Sequence, residues 1–122
     1  MGSLTTHVLD TMHGRPAANV AIELWRVEDD SYRGVWRTHI KTVRTNAEGR
    51  TDAPILEGDE FTAGLYELHF AIGAYFATQG ASTPKPPFLN IVPVCFGVAD
   101  PMAHYHVPLL VSPWAYTTYR GS

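Results

Sequence analysis

Tyr66, Leu68, Phe70 and Ile72 alternate with Glu67 and His69 along the run Leu65 to Ile72. A period of two is the repeat of a strand, which sends successive side chains to opposite faces, here one apolar and one polar. Similar short runs recur along the chain with turn clusters between them, the pattern of an all-β sandwich or barrel. Leu4 to Asp10 reads as a first strand, followed by the turn residues His13-Gly14-Arg15-Pro16. Val20 to Val27 reads as a second, with Val20, Ile22 and Leu24 on one face. Asp29 to Gly34 is a polar loop, Trp36 to Thr45 a third strand, and Asn46-Ala47-Glu48-Gly49 a turn. Gly73 to Gly80 suits one short helix closed by glycine. Three prolines make Ser82 to Pro87 a loop, and Ile91 to Val98, His104 to Val111 and Ala115 to Arg120 complete the strands. The expectation is seven or eight strands and one short helix in a single domain spanning residues 1–122. A chain of this size buries roughly two-thirds of its unfolded surface, enough for a core without disulfides or a structural metal.

The balance of residues excludes several classes of function. With 45% hydrophobic and 17% charged residues the chain is not disordered. A net charge of -3 is too mild for a nucleic-acid or anionic-membrane partner. No run reaches the ~18–20 apolar residues of a membrane helix, and Met1 to His7 carries no secretory pattern. A cytoplasmic location is expected, and the single cysteine, Cys95, is compatible with a reducing compartment. Cys95 lies in the apolar run Val92 to Phe96, where a buried filler is expected. Trp25, Trp36 and Trp114 read as packing residues, and His13, His39 and His69 as structural or surface ones.

The strand from His104 is unusual. Tyr105, Val107, Leu109 and Val111 form a core face, while the other face mixes His104 and His106 with Pro108 and Leu110. The first strand likewise places His7 beside Thr5 and Leu9. If both strands share a sheet, its outer surface holds a polar pocket with apolar walls, which symmetric homo-oligomers commonly cover. His104-x-His106 also has the spacing of a zinc pair, with His7 as a third ligand. A metal-free reading uses His7 and His106 as proton handlers, since imidazole exchanges protons near neutrality. Arg50, after its turn, reads either as a solvated charge or as a fixed cation that binds an acidic heterocycle and offsets oxyanion charge. The ending Tyr119-Arg120-Gly121-Ser122 reads either as a frayed tail or as a docked one that brings two hydroxyls to a site.

Four ordered blocks carry a family resemblance. They are Leu4-Thr5-Thr6-His7-Val8-Leu9-Asp10-Thr11 with Gly14-Arg15-Pro16-Ala17, then Thr45-Asn46-Ala47-Glu48-Gly49-Arg50, then His104-Tyr105-His106-Val107-Pro108-Leu109-Leu110 with Ser112-Pro113, and finally Tyr119-Arg120-Gly121-Ser122. Together they resemble the 5-hydroxyisourate hydrolases, the transthyretin-related proteins, with Glu48 where the family more often has Asp. The terminal tetrapeptide and the histidine set separate the enzymes from the carrier transthyretin. The resemblance implies a prealbumin-like two-sheet sandwich, a homotetramer, and active sites where dimers meet. It implies hydrolytic opening of 5-hydroxyisourate in urate breakdown, without cofactor or metal. It implies His7, Arg50 and His106 as the catalytic set, with Tyr119, Arg120, Ser122 and His104 as substrate-binding residues. Which histidine is base and which acid stays open, and the rival classes are a non-catalytic small-ligand carrier and a metal hydrolase using His104 and His106.

Overall fold

The computed structural model describes residues 1–122. The chain forms β1 (Ser3–Asp10), β2 (Arg15–Pro16), β3 (Ala21–Asp30), β4 (Gly34–Arg44), β5 (Leu56–Glu57), β6 (Gly64–Ala71), α1 (Ile72–Thr78), β7 (Ile91–Val98), β8 (His104–Val111) and β9 (Tyr116–Thr118). Seven strands have three residues or more, as the alternation predicts; β2 and β5 are two-residue additions to β1. One sheet runs β2-β1-β8-β9 with β5 also on β1, and the other runs β4-β3-β6-β7. No helix is long and apolar enough to cross a membrane.

The period-two pattern decides what fills the space between the sheets. Leu4, Val8, Tyr105, Val107, Leu109 and Val111 from one sheet meet Ile22, Leu24, Tyr66, Leu68, Phe70, Val92 and Val94 from the other, all buried in one apolar cluster. Ile72 keeps its inward direction but opens α1 instead of ending β6. Gly80 follows α1 with φ +71, the left-handed conformation that lets the chain leave a helix without a Cβ clash. The same parity overturns the expectation for Cys95. Val92 and Val94 take the inward positions of β7, so Cys95 falls on the outer face and is exposed. Among the tryptophans, Trp25 packs against the His39 and His69 rings, whereas Trp36 and Trp114 are exposed. Glu67, placed outward by its parity, is nevertheless covered. Arg37 Nε lies 2.9 Å from both of its carboxylate oxygens, and His69 Nε2 lies 2.8 Å from Oε1. The Arg37 hydrogen bonds outweigh burial and hold the Glu67 pKa at about 2.

The pairing that matters most for function is β1 with β8. They run parallel and in continuous register, Ser3 opposite His104, Thr5 opposite His106 and His7 opposite Pro108. The two ends of the chain therefore lie side by side, with the outward side chains of both strands on one surface.

At the far end of β1, the buried Asp10 carboxylate accepts hydrogen bonds from the His13 ring at 2.7 Å, the His13 backbone N–H at 2.9 Å and the Tyr75 hydroxyl of α1 at 2.7 Å. Burial alone raises the Asp10 pKa, but these three donors outweigh it and leave the carboxyl below the ordinary aspartate value. Burial and then Asp10 push the Tyr75 hydroxyl to about 12, so it remains a donor. Tyr75→Phe is expected to cost about 1.5–3 kcal/mol at pH 7, the range for a hydrogen bond to a charged group. Because the folded Asp10 pKa is depressed, this contribution is present above the unfolded pKa near 3.8 and is lost as pH falls through the folded value. Urea denaturation at pH 7 and pH 3 checks it: the gap between wild type and variant should shrink at the lower pH.

Candidate active site

A cleft of about 400 Å³ opens on the outward face of β1 and β8, lined by Thr5, Thr6, Arg50, Thr51, Asp52, Ala53, Pro54, His104, His106 and Ser122. Its volume is that of a small-molecule site, though only one of the ten lining residues is hydrophobic. A polar heterocycle suits such walls better than an apolar ligand does.

Arg50 arrives through the turn that precedes it. Asn46 closes that turn by accepting from the backbone N–H groups of Glu48 and Arg50 through Oδ1, at 2.9 and 3.3 Å. Gly49, at φ +77, packs so close to β1 that a Cβ there would strike the Val8 carbonyl oxygen, and the Val8 N–H donates to the Gly49 carbonyl at 2.8 Å. The turn is thus clamped onto β1, and the start of the Arg50 side chain is fixed beside the cleft. His7 takes part in the clamp, with Nε2 2.9 Å from the Glu48 carbonyl oxygen. A carbonyl only accepts, so His7 Nε2 carries the hydrogen and its Nδ1 is left as the acceptor of the neutral ring. The contact uses the backbone of Glu48, so it does not depend on which acidic side chain stands there.

His106 is half-buried, with Nδ1 2.8 Å from the Thr5 hydroxyl. That leaves Nε2 as the nitrogen without a partner. Burial, followed by the charges of Arg50, His104 and His7, lowers the His106 pKa below that of an ordinary histidine. The ring is therefore neutral at physiological pH and available as a base. Its backbone anchors the tail: the Gly121 N–H donates to the His106 carbonyl at 2.7 Å. A Cβ on Gly121 would lie 2.6 Å from His106 Cδ2, so glycine is what lets the tail lie flat against the imidazole.

The structure brings His104, His106, Arg50 and Ser122 to one cleft, with His7 in the clamp beside it. Tyr119 and Arg120 lie elsewhere, in an apolar cleft of about 360 Å³ with Val94, Phe96, Tyr105 and Val107. The Arg120 guanidinium sits 3.9 Å over the Tyr105 ring, and its Nη2 is 3.3 Å from the His104 carbonyl oxygen. The His104 and His106 rings stack nearly parallel at 13°, with centroids 6.4 Å apart. Hydroxyls of Ser3 and Thr5 hold their Nδ1 atoms, an arrangement that does not converge on one ion. Thr5 itself was not singled out from the sequence. Its parity with His7 is visible there, but its contact with His106 depends on the β1–β8 register.

Residues 4–121 match the model of the HIUase/transthyretin family. A 5-hydroxyisourate hydrolase of Ralstonia nicotianae is 57% identical over 122 residues, the whole of both chains. The solved 5-hydroxyisourate hydrolase of Klebsiella pneumoniae is 30% identical with a TM-score of 0.77, covering 100% of both chains. The transthyretin of Sparus aurata is 32% identical with a TM-score of 0.81, covering 98% of this chain and 96% of its own.

Proposed function

The chain belongs to the HIUase/transthyretin family, and from that membership together with its polar histidine–arginine cleft we infer that it hydrolyses 5-hydroxyisourate. Backbone likeness alone does not separate enzyme from carrier, since the transthyretin superposes at least as well as the Klebsiella enzyme. Full-length identity to the Ralstonia hydrolase and the character of the cleft do separate them. The observation that carries the reading is the half-buried His106 imidazole, held through Nδ1 by Thr5, on the same cleft wall as the Arg50 guanidinium.

In the mechanism proposed, Arg50 orients the substrate and offsets charge growing on the carbonyl oxygen under attack. Its planar fork holds an acidic heterocycle through two parallel hydrogen bonds. His106 Nε2 takes the proton of the attacking water, and the ring nitrogen leaves with a proton returned to it. The product is 2-oxo-4-hydroxy-4-carboxy-5-ureidoimidazoline. The Ser122 hydroxyl and His104 contact the substrate from the cleft wall, while His7 fixes the turn that carries Arg50. Arg120 holds the tail through its stack on the Tyr105 ring and its bond to the His104 carbonyl, and Tyr119 borders the apolar cleft beside it.

Residues 1–122 are taken to act as one transthyretin-like domain, on the ground of the single apolar cluster between the sheets. We assign the assembly as a homotetramer whose dimers meet over the β1–β8 face, where Leu9 and Leu110 flank the polar cleft at partly exposed positions. The cytoplasm is the proposed location, in keeping with one free, exposed thiol.

The test follows ultraviolet absorbance after urate oxidase makes 5-hydroxyisourate in situ. Accelerated decay in the presence of the chain supports the reading; binding of a small ligand with unaltered decay supports a carrier. The same assay reads pH dependence. A base with a lowered pKa stays neutral to lower pH, so kcat/KM should fall only below the ordinary histidine value of about 6.5. An acid limb at or above that value contradicts the assignment of His106 as base.

A further inference from the structure

Ser3, His104, Thr5 and His106 form one row across β1 and β8. Ser3 Oγ bonds His104 Nδ1 at 2.5 Å, His104 Nε2 lies 3.4 Å from Thr5 Oγ1, and Thr5 Oγ1 lies 2.8 Å from His106 Nδ1. The register explains the row, because Ser3 stands opposite His104 and Thr5 opposite His106, all facing outward. The parallel rings leave between them a gap that one hydroxyl spans. A hydroxyl donates one hydrogen and accepts others, and a neutral imidazole has one N–H and one lone pair. The row therefore has two self-consistent states. In one, His106 carries its hydrogen on Nδ1 and presents a lone pair at Nε2. In the other, Thr5 donates to Nδ1 and His106 carries its hydrogen on Nε2.

We propose that Thr5 is a positioning residue for His106, coupling its tautomer to that of His104 so that one imidazole serves first as base and then as acid. This rests on the reading of His106 as the group that handles protons in the cleft. In the base step a water proton moves to His106 Nε2 as the oxygen bonds the ring carbonyl carbon. The Nδ1 proton passes to Thr5 Oγ1, the Thr5 hydroxyl proton to His104 Nε2, and the His104 Nδ1 proton past Ser3 to solvent. In the acid step the C–N bond breaks with its electron pair on nitrogen, which takes the Nε2 proton. His106 Nδ1 regains a proton from Thr5, Thr5 from His104 Nε2, and His104 Nδ1 from solvent. The new carboxylic acid then releases one proton, the net yield of the hydrolysis. The row reverses itself within each turnover, so nothing else is needed to reset it. The benefit is electrostatic: His106 passes protons without lingering as an imidazolium beside Arg50, a cation that disfavours it.

Thr5→Val removes the hydroxyl at nearly constant shape, and Thr5→Ser keeps it. The expected result is a fall in kcat of about tenfold or more for Thr5→Val, a part of the roughly hundred- to ten-thousandfold that a proton-transfer group contributes, with KM little changed and Thr5→Ser close to wild type. Nitrogen NMR of the His106 ring should show its tautomer shifted in Thr5→Val. The dependence of kcat on deuterium fraction should be curved in wild type, the sign of several protons moving together, and linear in the variant. Should Thr5→Val not fold, Thr5→Ala at this outward, partly exposed position gives the same readouts. Wild-type kcat with a curved deuterium dependence in Thr5→Val, or equal losses in Thr5→Ser and Thr5→Val, overturns the proposal. His106→Ala distinguishes the two levels. If it is inactive while Thr5→Val is unaffected, only the Thr5 coupling fails; if it is fully active, the site reading fails with it.

Discussion

His106→Ala is expected to lower kcat/KM on freshly generated 5-hydroxyisourate by about a hundred- to ten-thousandfold, or about 3–5 kcal/mol of barrier. The ring is half-buried at a cleft wall and takes no part in the apolar cluster between the sheets. Its loss therefore removes chemistry and leaves the core intact. The tail should loosen slightly, since Gly121 lies against the His106 imidazole, but its N–H still bonds the carbonyl of residue 106. Circular dichroism and the melting transition should stay close to wild type while the absorbance assay loses its acceleration. A variant that is folded and near wild-type in rate would remove His106 from the mechanism.

Arg50→Ala should have a comparable effect for a different reason. The guanidinium is the one strong cation on the cleft wall, and the charge that grows on the attacked oxygen needs a fixed partner there. Removing a single oxyanion-stabilising donor costs about a hundred- to a thousandfold in kcat. Arg50→Lys is the sharper comparison. Lysine keeps the charge but loses the planar fork, so it should recover only a small part of the activity if two parallel hydrogen bonds matter. Full recovery by lysine would reduce the role of Arg50 to simple charge. The clamp holding the preceding turn uses Asn46, Gly49 and backbone groups, so neither substitution disturbs it.

Much of this architecture was legible in the residues because parity is a local property. The bounds of β7 and β8 match the alternating runs, and the inward set of each follows from one register decision. The unusual face singled out His106, whereas the turn left Arg50 open between a solvated charge and a fixed cation until the family blocks were compared; the two border one cleft. Cys95 was misread because an apolar run does not announce which of its residues face inward; that depends on the neighbouring valines of β7. Thr5 was missed because its partner lies on β8, and only a long-range pairing decides which hydroxyl meets which imidazole. Tyr119 and Arg120 illustrate the same limit. Motif adjacency groups them with Ser122, yet as the tail continues alongside β8, with Gly121 opposite His106, both border the apolar cleft and Arg120 stacks on Tyr105.

The parallel union of β1 and β8 also dictates a schedule for the nascent polypeptide. Thr5 and His106 are 101 positions apart. At ribosomal speeds of about 5–20 residues per second, β1 waits on the order of 5–20 s for its partner to emerge. A strand left unpaired for so long is an invitation to aggregate. Ser3, Thr5 and His7, alternating with Leu4, Thr6 and Val8, dilute its stickiness during the delay, much as gatekeeper residues do. The side chains that later position the imidazoles and the Arg50 turn would thus also guard β1 while it waits.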